Sequence, residues 1–311
     1  ILLAVLALVV VNALRDSPWG LFTLSMTIPI ALLMGWWMRV VRPGKVSEAT
    51  AIGIALLFLA LIGGQWVSQS PTWGPAFTWS GTNLSWAIMV YGFIASVLPV
   101  WLLLAPRDYL SAFMKIGTIL LLGVAIMFVM PPLKMPAVTQ FVDGSGPVFA
   151  GKLFPFAFIT IPCGAVSGFH ALISSGTSPK MLRCEPDARL VGYGSMLAES
   201  LVGVMAMVAA ATLDPGVYFA MNVGPATLGA DATSAAQAIA QWGFTVSPEQ
   251  LNALAAQMGE ATLLSRTGGA PSLAVGMAGI LGNVFSGPGL ALWYHFAIMF
   301  EAVFILTTID A

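Results

Sequence analysis

Residues 152–180 read KLFPFAFITIPCGAVSGFHALISSGTSPK. The stretch is apolar enough to enter a membrane, yet it is punctuated in ways that a plain spanning helix avoids. Pro155 and Pro162 each remove a backbone donor, and Gly164, Gly168 and Gly176 loosen the chain. Ser167, Ser174, Ser175 and Thr177 supply hydroxyls, and His170, one of 2 histidines, stands in the middle. In hydrocarbon every freed backbone group needs a partner, so a broken helix survives only when packed in protein or lining a wet cavity. Broken helices near the midplane are also where secondary transporters hold substrate and coupling ions. Two readings stand. One is a kinked structural helix whose Gly164 and Gly168 serve close packing. The other is a binding site, which also accounts for the histidine and the hydroxyls.

Composition sets the class around that stretch. The chain is 58% hydrophobic and 8% charged, with a mean hydropathy of +0.90, where a soluble domain carries about 25% charged residues. This predicts an all-α polytopic transmembrane helical bundle with one broken, discontinuous helix. A formal net charge of −1 offers no basic surface for nucleic acid. Two cysteines, Cys163 in the broken helix and Cys184 in a loop, make no disulfide framework. The chain opens on Ile1-Leu2-Leu3-Ala4 without a charged leader and closes on Thr308-Ile309-Asp310-Ala311, which reads as an internal piece of a longer protein.

About nine apolar segments are expected: 1–14, 21–41, 49–68, 84–105, 111–130, 152–176, 190–212, 269–286 and 289–309, with 269–286 short enough to be broken or re-entrant. Basic residues set their orientation. Arg39, Arg42, Lys45, Arg107, Lys115, Lys180, Arg183 and Arg189, eight of 12, fall in alternate loops, so that side is assigned to the cytoplasm. Residues 69–83 carry no charge but hold Trp73 and Trp79, as an interfacial belt on the far side would. The last two segments have too little flanking charge to fix their sense. Residues 213–268 are acidic, with Arg266 as their one cation, and form an extracytoplasmic loop with short helices at 231–242 and 247–260. Ser247 is an N-cap with Pro248 behind it. These helices form either a lid or a passive cap.

Few polar groups remain inside the apolar segments. Glu199 and Glu301 each lie among apolar neighbours. Together with His170 they are candidates for proton coupling, since intramembrane ionisable residues mark proton relays; hydrogen-bonded structural glue is the alternative. His295 and Tyr294, near the start of the last span, read as interface anchors. Arg107 and Asp108, at a turn between spans, form either a gate ion pair or a topology-setting cluster. No phosphate loop and no metal-ligand spacing occurs, so no cofactor is expected. An intramembrane hydrolase using Ser167 and His170 is a rival, although Gly164-Ala165-Val166-Ser167-Gly168 lacks the nucleophile-elbow spacing. A channel is a further alternative, without a repeated filter motif to support it.

CGAVSGFHALISSGT at 163–177 resembles the signature segment of the carbon starvation protein A family of bacterial membrane transporters. WLLLAPRDYLSAFMKIGT (101–118), LDPGVYFAMN (213–222), GGAPSLAVGMAGIL (268–281) and WYHFAIMFEAVFILT (293–307) are similar to that family too. Pro162 departs from the pattern, which has a small residue there, and the family's longer ends and N-terminal glycine-rich segment are missing. The resemblance implies a multi-pass protein of the bacterial inner membrane, with a fold grouped with the amino acid–polyamine–organocation transporters. It implies uptake of peptides or of pyruvate-type carboxylates during carbon starvation. We expect proton symport, a substrate site at Cys163, Gly164, Ser167, Gly168, His170, Ser174, Ser175 and Thr177, and no catalytic activity.

Overall fold

Helix α1 (Leu2–Leu14) ends at an Arg15-Asp16-Ser17 turn. Ser17 Oγ accepts the Gly20 amide at 3.3 Å, and Pro18 sits where no donor is required, so α2 (Pro18–Trp36) starts well capped. It closes in a π turn at Trp37–Val41, and α3 (Val46–Gln69) returns antiparallel. Small residues bring the pair together. Gly53 lies under the Met34 thioether, Gly64 faces the Trp19 ring, and Trp19 Nε1 donates to Leu61 O at 2.8 Å. The remaining main helices are α4 (Gly81–Val97), α5 (Leu104–Val129), α6 (Asp187–Ala211), α7 (Pro215–Asn222), α8 (Ala232–Gln241), α9 (Pro248–Met258), α10 (Ala270–Val284) and α11 (Leu290–Asp310).

This computed structural model describes residues 2–98, 104–155, 178–285, 287 and 289–310. The segment with Cys163, Gly164, Ser167, Gly168, His170, Ser174, Ser175 and Thr177 lies outside the described residues. Within them there is no strand, and four helices are long and apolar enough to cross a membrane: Pro18–Val41, Val46–Gln69, Pro106–Val129 and Asp187–Ala211. Their outward faces are bare hydrocarbon, with Trp66 85% and Phe128 81% exposed. Such a surface is unstable in water and required in lipid. The fold is an all-α membrane bundle.

Two basic residues expected in a turn lie inside a helix instead, because α5 begins at Leu104. Arg107 is fully buried, and Lys115 Nζ stands 4.6 Å over the Phe304 ring. An aromatic face offers the Lys115 ammonium a partner within the bundle.

Residues 259–284 take the course that positions the site. After α9 the chain turns down beside α1, and its contacts record the register. Ser17 Oγ donates to Glu260 Oε1 (2.7 Å), and Arg15 Nη2 donates to Ser265 O (2.9 Å). Arg266 Nη1 donates to Ala13 O (2.8 Å), Asn12 Nδ2 donates to Thr267 Oγ1 (2.9 Å), and Gly268 faces Val9. As the chain runs from 260 to 268, its partners run back from Ser17 to Val9. Gly268 and Gly269, at φ 115° and 84°, make a turn that a side chain would resist. α10 then rises to the end it came from: Gly276 packs on Ala209, Gly282 on Leu290, and Asn283 reaches the cavity that Lys134 and Asp214 line. Its 15 residues span about 22 Å, short of a ~30 Å hydrocarbon core. Segment 259–284 is therefore a hairpin that enters and leaves the bundle at the same end. α10 runs in the same sense as α5 and α6, and α11 runs opposite, which supplies the directions that flanking charge left open.

Candidate functional site

Two opposite charges tie the descending limb of the hairpin. Glu260 and Arg266 are both buried, and Arg266 Nη2 donates to Glu260 Oε2 at 2.9 Å. Ser17 Oγ donates to the other carboxylate oxygen, so one serine both caps α2 and anchors the hairpin. Arg266 also donates to the carbonyls of Thr262 (Nε, 2.9 Å) and Ala13 (Nη1, 2.8 Å). Burial pushes the Glu260 carboxyl up to about 7, with the Arg266 charge and the Ser17 hydrogen bond acting against it. His295 of α11 closes the cluster. Its Nε2 is 4.0 Å from Glu260 Oε1, and its ring stacks on Trp19 with centroids 4.1 Å apart.

His295 and Tyr294 are thus not interface anchors. Both are fully buried, because α11 begins beneath the descending limb, where Ala291 meets Gly259. Sequence reasoning missed this cluster. Its signal was Arg266, a lone cation in an acidic stretch, two residues before a Gly-Gly pair.

Deeper in the bundle, α5, α6, α10 and α11 enclose a small cavity lined by Thr118, Val202, Met205, Leu273, Met277 and Glu301. Its accessible space is about 20 Å³, enough for a water molecule. Thr118 Oγ1 is buried without a hydrogen bond, and Glu301 makes neither a hydrogen bond nor an ion pair among the described residues. Glu199 is exposed on α6 and does not line this cavity. Of the three coupling candidates, only Glu301 lines this cavity, and His170 lies outside the described residues.

Arg107 joins three helices. It donates to the Tyr91 hydroxyl of α4 and to Thr27 Oγ1 of α2 at 3.2 Å, and its guanidinium lies 5.3 Å from the Tyr91 ring centroid. Asp108, the next residue, is half-buried. Replacing Arg107 with Lys is expected to lower the melting temperature in detergent, since an ammonium cannot serve both hydroxyls across the fork and loses the stacking on Tyr91. Unchanged melting would show that the three-helix junction contributes nothing to stability.

An apolar exterior and four helices long and apolar enough to cross a bilayer define a polytopic integral membrane protein. The chain belongs to the carbon starvation protein CstA family, whose model matches residues 1–311. It is 58% identical over 313 residues to the peptide transporter CstA of Campylobacter jejuni, covering 100% of this chain and 44% of that protein. It is 58% identical over 317 residues to the peptide transporter CstA of Escherichia coli K12, covering 100% and 45%. To the pyruvate/proton symporter BtsT of E. coli K12 it is 52% identical over 333 residues, covering 100% and 46%. The chain spans less than half the length of these relatives. No solved structure matches it.

Proposed function

We propose that the protein is a secondary active transporter of the bacterial inner membrane that takes up peptides, pyruvate or both with protons, and that it performs no catalysis. The observation that carries this reading is Glu301, a carboxyl facing a small cavity at the foot of the hairpin's rising helix. Half-helices and nearby ionisable groups recur where transporters couple substrate to ions. The names of the relatives, a peptide transporter and a pyruvate/proton symporter, support the same class. On this reading Glu301 and Glu199 exchange the proton with His170. The residues Cys163, Gly164, Ser167, Gly168, Ser174, Ser175 and Thr177 hold substrate, an assignment that rests on the resemblance. Arg107, which ties α5 to α2 and α4, would act with Asp108 as the gate.

Vesicles carrying the intact protein and an imposed proton gradient test it. Glu301→Gln is expected to reduce gradient-driven uptake of labelled pyruvate or dipeptide by at least about tenfold, or ~1.4 kcal/mol. Exchange of labelled for unlabelled substrate should persist. A variant that still concentrates substrate removes Glu301 from the proton path. Ser167→Ala should alter affinity without abolishing uptake, whereas a hydrolase would lose all activity.

A further inference from the structure

A second and far larger cavity lies at the end of the bundle where the hairpin enters. Its accessible volume is about 530 Å³, within the range of small-molecule sites, which run from about 300 to 1,000 Å³. α9 forms one wall with Gln250 and Gln257, the rising end of α10 forms another with Gly279 and Asn283, and Lys134 and Asp214 close the third. The walls between these polar groups are apolar, from Leu254, Met258 and Ile280. Lys134 Nζ and Asp214 Oδ2 are 3.0 Å apart, with side chains 49% and 43% exposed. A pair that exposed adds little to stability, yet the backbone amide of Lys134 is fixed to Ala211 O at 2.8 Å, which keeps the cation beside the start of α7. The α9 wall is also tied to the hairpin, because α9 runs through Gly259 directly into Glu260.

We propose that this cavity is a vestibular binding site for a small zwitterion bearing an apolar side chain. The ligand's carboxylate takes Lys134 and its ammonium takes Asp214, each displacing the other half of the existing pair. The carboxamides of Gln250, Gln257 and Asn283 supply donors and acceptors for a peptide bond, and the apolar walls receive the side chain. Each charge leaves one partner for another of the same sign, so the exchange leaves no buried charge unpaired. The proposal rests on the transport reading and names where substrate is first held. A monocarboxylate would use only half of the site.

Equilibrium binding of labelled dialanine and of labelled pyruvate to the detergent-solubilised intact protein separates this proposal from the transport reading. Gly279→Leu fills the cavity from a position where an added Cβ meets nothing within 4 Å, so the fold is expected to tolerate it. Gly279→Leu and Lys134→Gln should each weaken dialanine binding by at least about tenfold. Asp214→Asn should weaken dialanine binding and leave pyruvate unmoved. If all three variants bind dialanine as the wild type does, the vestibular site is wrong, and uptake in vesicles can still be intact. Equal loss of dialanine and pyruvate on Asp214→Asn would overturn the zwitterion assignment. If wild type neither binds nor takes up either compound, the transport reading fails and this proposal fails with it. Melting curves of each variant separate lost binding from lost folding.

Discussion

Replacing Glu260 with alanine is expected to cost about 3–5 kcal/mol of stability, because it leaves a buried cation without its counter-ion. Arg266 cannot shed its proton, so in that variant its charge faces only the carbonyls of Thr262 and Ala13. Arg266→Ala leaves the opposite partner, and the outcome differs. Burial already lifts the Glu260 carboxyl from an ordinary 4.5 to about 7, and losing Arg266 removes the strongest influence holding it down. The carboxyl then neutralises itself by taking up a proton, helped by the nearby Asp16 charge. In the wild type the folded state binds this proton more tightly than the unfolded chain does. The carboxyl's contribution to stability is therefore complete below about pH 4.5 and is lost as the pH rises through about 7. Arg266→Ala should accordingly be milder at pH 6 than at pH 8. Melting of the detergent-solubilised protein at the two pH values checks this. Equal losses for Arg266→Ala at both would show that Glu260 does not titrate in that interval, and wild-type melting of Glu260→Ala would remove the pair as the anchor of the hairpin.

The long helices were legible because each writes its environment locally. A run such as Val46–Gln69 is apolar around its whole circumference, and Ser247-Pro248 marks a start that the structure confirms, with Ser247 Oγ accepting the Gln250 amide at 3.1 Å. The descending limb had no such signature. GEATLLSRTGG at 259–269 has neither helical nor strand periodicity, and its place is fixed by partners such as Ser17, 243 residues away from Glu260. His295 illustrates the same limit. A histidine near a helix start fits an interface anchor until Trp19, distant in sequence, is found stacked on it. Arg107 misled for another reason. Charge near a span boundary usually sets topology, but here Tyr91 and Thr27 give the guanidinium partners inside the bundle. Glu301 was legible as a type, a carboxyl among apolar neighbours. Its proximity to Thr118 and the first turns of α10 depends on four helices meeting.

The geometry that places α10 as a rising limb also makes Gly276 the position in it least tolerant of change. A Cβ built there collides with Ala209 O and lies 2.7 Å from the Ala209 carbonyl carbon. These are backbone atoms of α6, which no rotamer change can move aside. Gly276→Ala therefore forces the two helices apart. Overpacking of this kind costs about 1–3 kcal/mol, and Gly276→Leu should exceed the upper end and prevent folding. The displaced α10 would also pull on the Asn222 Nδ2 to Ser272 Oγ bond of 2.7 Å and open the cavity that Glu301 faces. Gly279, one turn later, is the control: the same methyl group meets nothing within 4 Å, so Gly279→Ala should melt as the wild type does and gain slightly from helix propensity. Both residues are glycines on one helix and differ only in what faces them, so the comparison isolates the α6–α10 contact from propensity. Equal melting of the two alanine variants would mean that Ala209 does not pack on Gly276, and α10 would then need another course through the bundle.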